Sequence, residues 1–309
     1  MAVVEGPRAG SSEARRLLGI VYALTAEPRL RAEVDVVHYP LTVPVPRFDG
    51  PTVVTLHDLQ HLELPQFFSR AERLYRRVTY DRAAQRASVV VTPSEHARSM
   101  AVERLGLDPD RVVVAPHGVD HGRFFPAEAE RGRFLLYPAN LWPHKNHERL
   151  LEAFARADSD LDLVLTGNDF GRRDELLAQA ARLGVGERVR HVGFVQHDEL
   201  PALMRSARAM IFPSLFEGFG QPPLEAMACG CAVASSVRGA LGEVCAGSVQ
   251  ELDPLDVGSI ATAIEALASD DALVAELRAR GPERAAGFTW TRSAELHLQA
   301  YERAVRSRA

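Results

Sequence analysis

Two carboxylates, Glu217 and Glu225, flank a glycine loop in the stretch Phe212-Pro-Ser-Leu-Phe-Glu-Gly-Phe-Gly-Gln-Pro-Pro-Leu-Glu-Ala-Met-Ala-Cys-Gly. Gly218 and Gly220 let backbone amides come close to a ligand, and Pro222-Pro223 are tolerated only in a first helical turn, where no intrahelical N–H is needed. A helix N-terminus therefore points out of this loop. Its unpaired amides and dipole suit a phosphate, and a diphosphate above all. Glu217 precedes the glycines and Glu225 follows the prolines, so the two flank one ligand from two levels. Each can accept from paired hydroxyls, one from a ribose and the other from a sugar. The plainer alternative makes Glu225 a helix-dipole carboxylate and Glu217 a solvated loop residue.

A second chemical group stands out by its rarity. The chain has 36 basic residues, and Lys145 is the one lysine among them. A compact ammonium differs from a guanidinium in size and donor geometry, so a single exception in an arginine-rich chain marks a site that needs it. Lys145 lies in Tyr137-Pro-Ala-Asn-Leu-Trp-Pro-His-Lys-Asn-His-Glu, between a strand and a helix. There it can neutralise a diphosphate as its bond to a sugar breaks. His144 and His147 show no zinc spacing and are read as non-metal residues. His57 and Asp58 end a strand in the first half, with a role for His57 in binding or proton handling near the donor across an interdomain cleft. A strand-capping structural histidine is the alternative.

These groups need strands and helices to position them. Apolar runs at Val34–Tyr39, Thr52–Leu56, Ser88–Thr92, Arg111–Ala115, Phe134–Pro138, Leu161–Thr166, Val189–Val192, Ala209–Phe212 and Ala232–Ala234 are continuous, as in parallel strands covered on both faces. Helical patterns separate them, at Ser69–Gln85, Glu95–Leu105, Glu148–Ala157, Arg173–Arg182, Glu199–Ser206, Pro222–Met227, Val257–Ala268 and Asp271–Ala286. This alternation predicts an α/β chain of two doubly wound, Rossmann-like domains. The length of 309 residues agrees with two cores. The expected boundaries are 1–126, 127–287 and 288–309, with a hinge near Pro126. The last segment carries a helix near Trp290–Arg306 that can return to the first domain.

Composition sets limits. A net charge of −5 and mixed charges in both halves give no footprint for nucleic acid. The three cysteines, with Cys229 and Cys231 in an apolar segment, read as core thiols. No run of about 18 apolar residues exists and the start lacks a signal-like core, so the expected location is cytoplasmic. Arg70, Arg73, Arg76, Arg77, Arg82 and Arg86 make 65–86 basic; a solvated face is the simpler reading, and the pattern also admits a peripheral contact at the inner face of a membrane.

Taken together the segments resemble the retaining glycosyltransferases of family 4, which have the GT-B arrangement of two Rossmann-like domains. The carriers are Glu217-Gly-Phe-Gly-Gln-Pro-Pro-Leu-Glu225, similar to the family's E-x7-E motif, Pro143-His-Lys-Asn-His147, Pro93-Ser-Glu and Pro116-His-Gly-Val-Asp120. The resemblance implies that Lys145 contacts the donor diphosphate and Glu225 the ribose. It places Glu217 and the Gly218–Gly220 amides on the donor sugar and phosphate, and His57 beside the reacting carbon. Asn140, Phe219 and Leu224 join the donor-binding set, and Asp58 and Ser94 the acceptor side. It implies no metal and no cofactor beyond a nucleotide-diphosphate sugar as co-substrate, and a saccharide or lipid-linked saccharide as acceptor. It also implies retention, a leaving-group phosphate oxygen taking the acceptor proton. The P-A-N-x-W-P-H-K-N-H variant is similar to bacterial mannosyltransferases and rhamnosyltransferases of polysaccharide assembly, which favours GDP-mannose.

Two departures accompany the resemblance. Asn140 stands where many members have an arginine, so Lys145 and the helix terminus carry more of the phosphate charge. Few residues precede Asp35–Pro40, so the first domain is expected to be cut short, lacking a glycine loop. A non-catalytic nucleotide-sugar-binding subunit is therefore the competing reading. An epimerase would need acid/base groups on both sugar faces, and a dinucleotide oxidoreductase would need G-x-G-x-x-G after a strand; neither pattern occurs.

Overall fold

The valine- and leucine-rich runs form parallel strands in a computed structural model that describes residues 33–44 and 47–307. The chain divides into two units, Met1–Pro116 with Arg292–Ala309, and His117–Thr291.

Unit 1 contains β1 (Val37–Tyr39), β2 (Thr52–Thr55), α1 (Gln60–Glu63), α2 (Arg70–Arg76), α3 (Arg82–Arg86), β3 (Val89–Thr92), α4 (Glu95–Leu105) and β4 (Val112–Val114). The strands make a parallel sheet in the order β1-β2-β3-β4. All four residues of β3 are buried, which is why this segment shows no polar alternation. The C-terminal helix Trp290–Arg306 places Ala300 and Ala304 in one cluster with Val53, Val89 and Val91. His38 ties that helix to the sheet, bonding Tyr301 Oη at 2.9 Å and Thr55 Oγ1 at 2.8 Å. Burial, then the neighbouring His297 and His57, lowers its pKa to about 4, so the ring is neutral. The single helix expected over Ser69–Gln85 is instead broken by a π-turn at Arg77–Asp81. Its side-chain correlate is Thr79 Oγ1 donating to Tyr75 O at 2.7 Å.

Unit 2 contains β5 (Phe134–Pro138), α5 (His147–Arg156), β6 (Asp162–Thr166), α6 (Arg173–Arg182), β7 (Val189–His191), α7 (Leu200–Ser206), β8 (Ala209–Phe212), α8 (Gln221–Ala228), β9 (Val233–Ser236), α9 (Ala240–Cys245), β10 (Gln250–Leu252), α10 (Val257–Ser269) and α11 (Asp271–Ala285). The sheet order is β10-β9-β8-β5-β6-β7, all parallel. The chain therefore winds outward from β5 through β7, then returns to the other side of β5 at β8. The crevice at the carboxyl ends of β5 and β8 is the topological switch point, where open α/β sheets bind ligands. α5 shows how sequence drives the packing: Leu150, Leu151, Ala153 and Phe154 are buried, each large side chain contributing about 2 kcal/mol.

The division of the chain does not fall at the expected Pro126. Phe124 and Val119 are buried in the unit 2 core, and Val119 bridges to Thr289, so the segment after Pro116 is held by unit 2. The other change of unit comes after Thr291, not at 287. The expected shortfall of the first domain concerns residues 1–32, which lie outside the described residues. All three cysteines are buried thiols, as expected. No helix among the described residues is long and apolar enough to cross a membrane.

Candidate functional site

Unit 2 brings Lys145 and Glu217 together at its switch point. Lys145 ends the 3-10 turn Pro143–Lys145 after β5, and Glu217 lies in the loop after β8. Lys145 Nζ donates to Glu217 Oε1 at 2.5 Å, with only 12% and 13% of the two side chains exposed. The ammonium also sits 5.4 Å from the Phe212 ring centre. The turn that aims it is held by residues to which the sequence assigned no such role. Asn146 takes a left-handed conformation (φ 64°) and its Nδ2 donates to Pro213 O at 3.0 Å and Pro254 O at 2.7 Å. Tyr137 Oη donates to Lys145 O at 2.6 Å. Leu215 N donates to His144 O at 2.9 Å, which fastens the two loops directly. The buried Asn next to the rare lysine was the available signal, since Asn tolerates positive φ better than most residues.

The helix N-terminus is where the prolines require it. α8 begins at Gln221 after Gly220, whose φ of +122° is glycine territory. Among the described residues, nothing accepts from the Phe219 and Gly220 amides. The Phe219 ring is turned inward against His117 and Phe288, and Leu224 is fully buried. For these two residues only the backbone can serve a ligand. Glu225 is 7% exposed, and Oε1 accepts from Gln221 Nε2 at 3.0 Å. Gln221 Nε2 also reaches Gly118 O at 3.1 Å. Burial pushes the Glu225 carboxyl up to about 7, against the opposing effect of the Gln221 hydrogen bond.

Asn140 does not stand open beside the lysine. Its Oδ1 accepts from Asn168 N at 2.8 Å and Nδ2 at 3.3 Å, linking the loops after β5 and β6. Beyond them lies a cavity of about 640 Å³ at the ends of β6 and β7, lined by Asp169, Phe170, Arg173, His191 and Phe194 among others. Phe170 and Phe194 are 57% and 60% exposed, and Phe170 packs against Trp142 with ring centres 5.2 Å apart. Sequence reasoning missed this aromatic recess because its residues come from two loops without motif spacing.

His147 and the expected residues of unit 1 are placed as follows. His147 is buried against Tyr137, ring centres 4.8 Å apart, with both nitrogens unpartnered among the described residues. Burial, then Arg172 and other nearby cationic groups, brings its pKa down to about 3, so it is neutral. In unit 1, His57 donates from Nε2 to Pro40 O at 2.7 Å. Asp58 accepts from Gln60 N at 3.0 Å and pairs with Arg76 at 3.3 Å. Ser94 is the N-cap of α4, accepting from Ala97 N at 3.1 Å.

Two all-parallel α/β units, one carrying a helix N-terminus and a lysine at its switch point, define a protein of the GT-B glycosyltransferase class. The family described as Glycosyl transferases group 1 matches residues 120–285, and that described as Glycosyltransferase Family 4 matches residues 2–123. The chain belongs to the glycosyl transferases group 1 family. It is 30% identical to O-antigen chain mannosyltransferase B of Escherichia coli over 81% of this chain and 70% of that one. It is 28% identical to the serotype-specific mannosyltransferase WbdA of Escherichia coli over 87% of this chain, and spans 35% of WbdA's length. The structure of HepE from Anabaena in complex with UDP and glucose shares the fold, with TM-score 0.69 at 24% identity over 82% of this chain and 71% of that one.

Proposed function

We propose that the chain transfers a hexose from a nucleotide-diphosphate sugar, GDP-mannose, to a saccharide hydroxyl with retention at the anomeric carbon. The observation that carries this reading is the Lys145–Glu217 pair at 2.5 Å, in the same unit as the Phe219 and Gly220 amides of the α8 loop, which have no acceptor among the described residues. A diphosphate laid on that loop competes with Glu217 for the ammonium. Glu217, released from part of its pairing, then accepts from the hydroxyls of the transferred sugar. Glu225 takes the ribose hydroxyls, and the aromatic recess at Phe170 and Phe194 takes the base. A role for His57 rests on the family resemblance alone.

The bond from the anomeric carbon to the diphosphate oxygen breaks with its electron pair going to the phosphate. Lys145 and the α8 dipole stabilise the charge that develops there. The acceptor oxygen bonds to the anomeric carbon from the same face, and its proton passes to a phosphate oxygen of the leaving group. No protein base is needed for that transfer. Mannose is favoured by the names of the relatives, both mannosyltransferases. The test is incubation with GDP-α-mannose and a mannoside acceptor, the product's anomeric configuration being read by NMR. An α-linked product supports the reading, whereas a β-linkage would rule out retention.

The raised Glu225 carboxyl gives a pH dependence. Ribose hydroxyls donate, so binding favours the carboxylate form, and donor affinity should rise up to about tenfold as pH passes upward through 7. Glu225→Gln should flatten that profile in a titration of affinity against pH. The ligand-free protein has the opposite slope. A carboxyl whose folded pKa exceeds its unfolded value stabilises fully below about 4.5, and that contribution is lost as pH rises through about 7. Glu225→Gln should therefore melt higher than wild type at pH 8 without ligand and show less advantage at pH 5.

A further inference from the structure

We propose that unit 1 carries a separate phosphoryl-binding groove, formed by Arg70, Arg73 and Arg77 over His61, which holds a phosphate carried by the acceptor. The groove has a volume of about 490 Å³ and is lined by His61, Leu62, Pro65, Leu74 and the three arginines. No carboxylate lines it. The arginines fall three and four residues apart, so they share one side of α2 and its π-turn continuation. None of the three has an acidic partner among the described residues, unlike two arginines close by. Arg76, on the same helix, is paired with Asp58 at 3.3 Å, and Arg104 of α4 with Glu63 at 3.2 Å. The one acid of α2, Glu72, is engaged in the capping box with Ser69. In a chain of net charge −5, three like charges gathered without counterions repel one another, and an anion in the groove would relieve that repulsion.

The floor supplies an independent observation. His61 is 2% exposed, and its Nε2 lies 3.1 Å from Asp81 Oδ1, which fixes the ring. Its Nδ1 is buried with no partner among the described residues. A buried polar atom left unsatisfied is costly. With Nε2 donating to Asp81, Nδ1 is the accepting nitrogen, so the P–OH of a monohydrogen phosphate reaching the floor would satisfy it. The π-turn Arg77–Asp81 is the device that connects the two levels, carrying Arg77 at its exposed start and Asp81 at its buried end. Extra residues of this kind within helices recur at functional sites. Leu62 and Leu74, the latter 60% exposed, give the groove an apolar border. Guanidinium forks match a phosphate's oxygens, and such a border suits the carbon chain of a prenyl phosphate better than a second charged group.

The assignment of the ligand to the acceptor rests on the transferase reading, while the groove itself does not. The test is isothermal titration of the full chain with inorganic phosphate, glucose 1-phosphate, geranyl phosphate and geraniol. Wild type and Arg73→Ala/Arg77→Ala are compared, with Arg98→Ala as a control for net charge on another exposed helix. GDP binding is measured on every variant to read the unit 2 site separately. The expected result is phosphate-dependent binding that weakens about tenfold or more in the double variant, with GDP affinity unchanged and the Arg98 variant like wild type. Tighter binding of geranyl phosphate than of glucose 1-phosphate assigns a lipid-borne phosphate, and the reverse order a sugar phosphate. The proposal is overturned if no phosphate compound binds folded protein, if geraniol binds as well as its phosphate, or if the double variant retains affinity while Lys145→Ala loses it. The last outcome would place the phosphate in the donor site.

Discussion

Lys145→Ala should lower turnover of a nucleotide-sugar donor by about a thousandfold while leaving the melting curve near that of wild type. The expectation of an intact fold comes from which atoms of residue 145 the structure uses. Its carbonyl, retained in alanine, accepts from Tyr137 Oη, and the turn is fastened by Asn146 to Pro213 and Pro254. Among the described residues, the side chain itself reaches Glu217 and the face of Phe212. Its loss therefore removes the ammonium from the developing phosphate charge and leaves the scaffold standing. Lys145→Arg should restore little. The side chain is 12% exposed, between a carboxylate and an aromatic ring, and a planar guanidinium does not fit where a compact ammonium does. Steady-state rates and circular-dichroism melts of the two variants decide this. Near-wild-type rates from folded Lys145→Ala would remove the lysine from the mechanism.

Gly167→Ala should produce a large loss of stability at the rim of the site. Gly167 follows β6 with a φ of +115°, and a Cβ there would lie 2.7 Å from Ala139 C and O and 2.8 Å from Asn140 N. Those are backbone atoms of the loop after β5, so no side-chain rotation relieves the contact. The same residue donates its amide to Gly193 O at 2.8 Å and accepts at its carbonyl from His191 Nε2 at 3.1 Å. Displacing it disturbs three loops that border the aromatic recess. A cost of about 3 kcal/mol or more is expected, against about 1 kcal/mol for Gly171→Ala. Gly171 has φ +81° but open space around its Cβ position, so it isolates the conformational penalty from the clash. Urea unfolding of the two variants measures the difference, and equal destabilisation would show that the close approach contributes nothing.

The strands were legible because parallel strands buried on both faces leave a pattern that few other structures share. Val89–Thr92 and Ala209–Phe212 are buried at every position and are continuous runs of apolar or β-branched residues. β10 was not legible, since Gln250 and Glu251 are polar and only Leu252 is buried. α9 was missed for another reason. It has six residues, follows Gly239 and contains Gly242, a poor helix former whose Cβ position would meet the backbone of Val237, so glycine is kept there against helix propensity. The π-turn in the basic helix depends on which carbonyl Thr79 and its neighbours choose, which no periodicity records.

For the site, the legible part was whatever follows from a strand ending and a helix beginning. Lys145 and Glu217 each follow a strand of the same sheet, and parallel order at a switch point brings such loops together. What periodicity could not tell is which way a loop side chain turns. Phe219 and Leu224 sit within the motif yet point into the core, while Asn140, Asp58 and Ser94 bind neighbouring protein groups. Asn146 and Gln221, which hold Lys145 and Glu225, act through partners far away in sequence, and their pairing becomes visible only once the sheet is assembled.

If unit 2 binds a nucleotide diphosphate, a matching donor should raise the thermal unfolding temperature of the purified chain when GDP-, UDP-, ADP- and TDP-sugars are compared. A ligand bound only by the folded state at a hundred times its Kd adds about 2.7 kcal/mol. A selective upward shift is expected with one of these donors, GDP-mannose first, and it should be strongly reduced in Lys145→Ala. Folded protein that shifts with none of them, or a Lys145→Ala variant that shifts as far as wild type, would contradict nucleotide-diphosphate binding at this site.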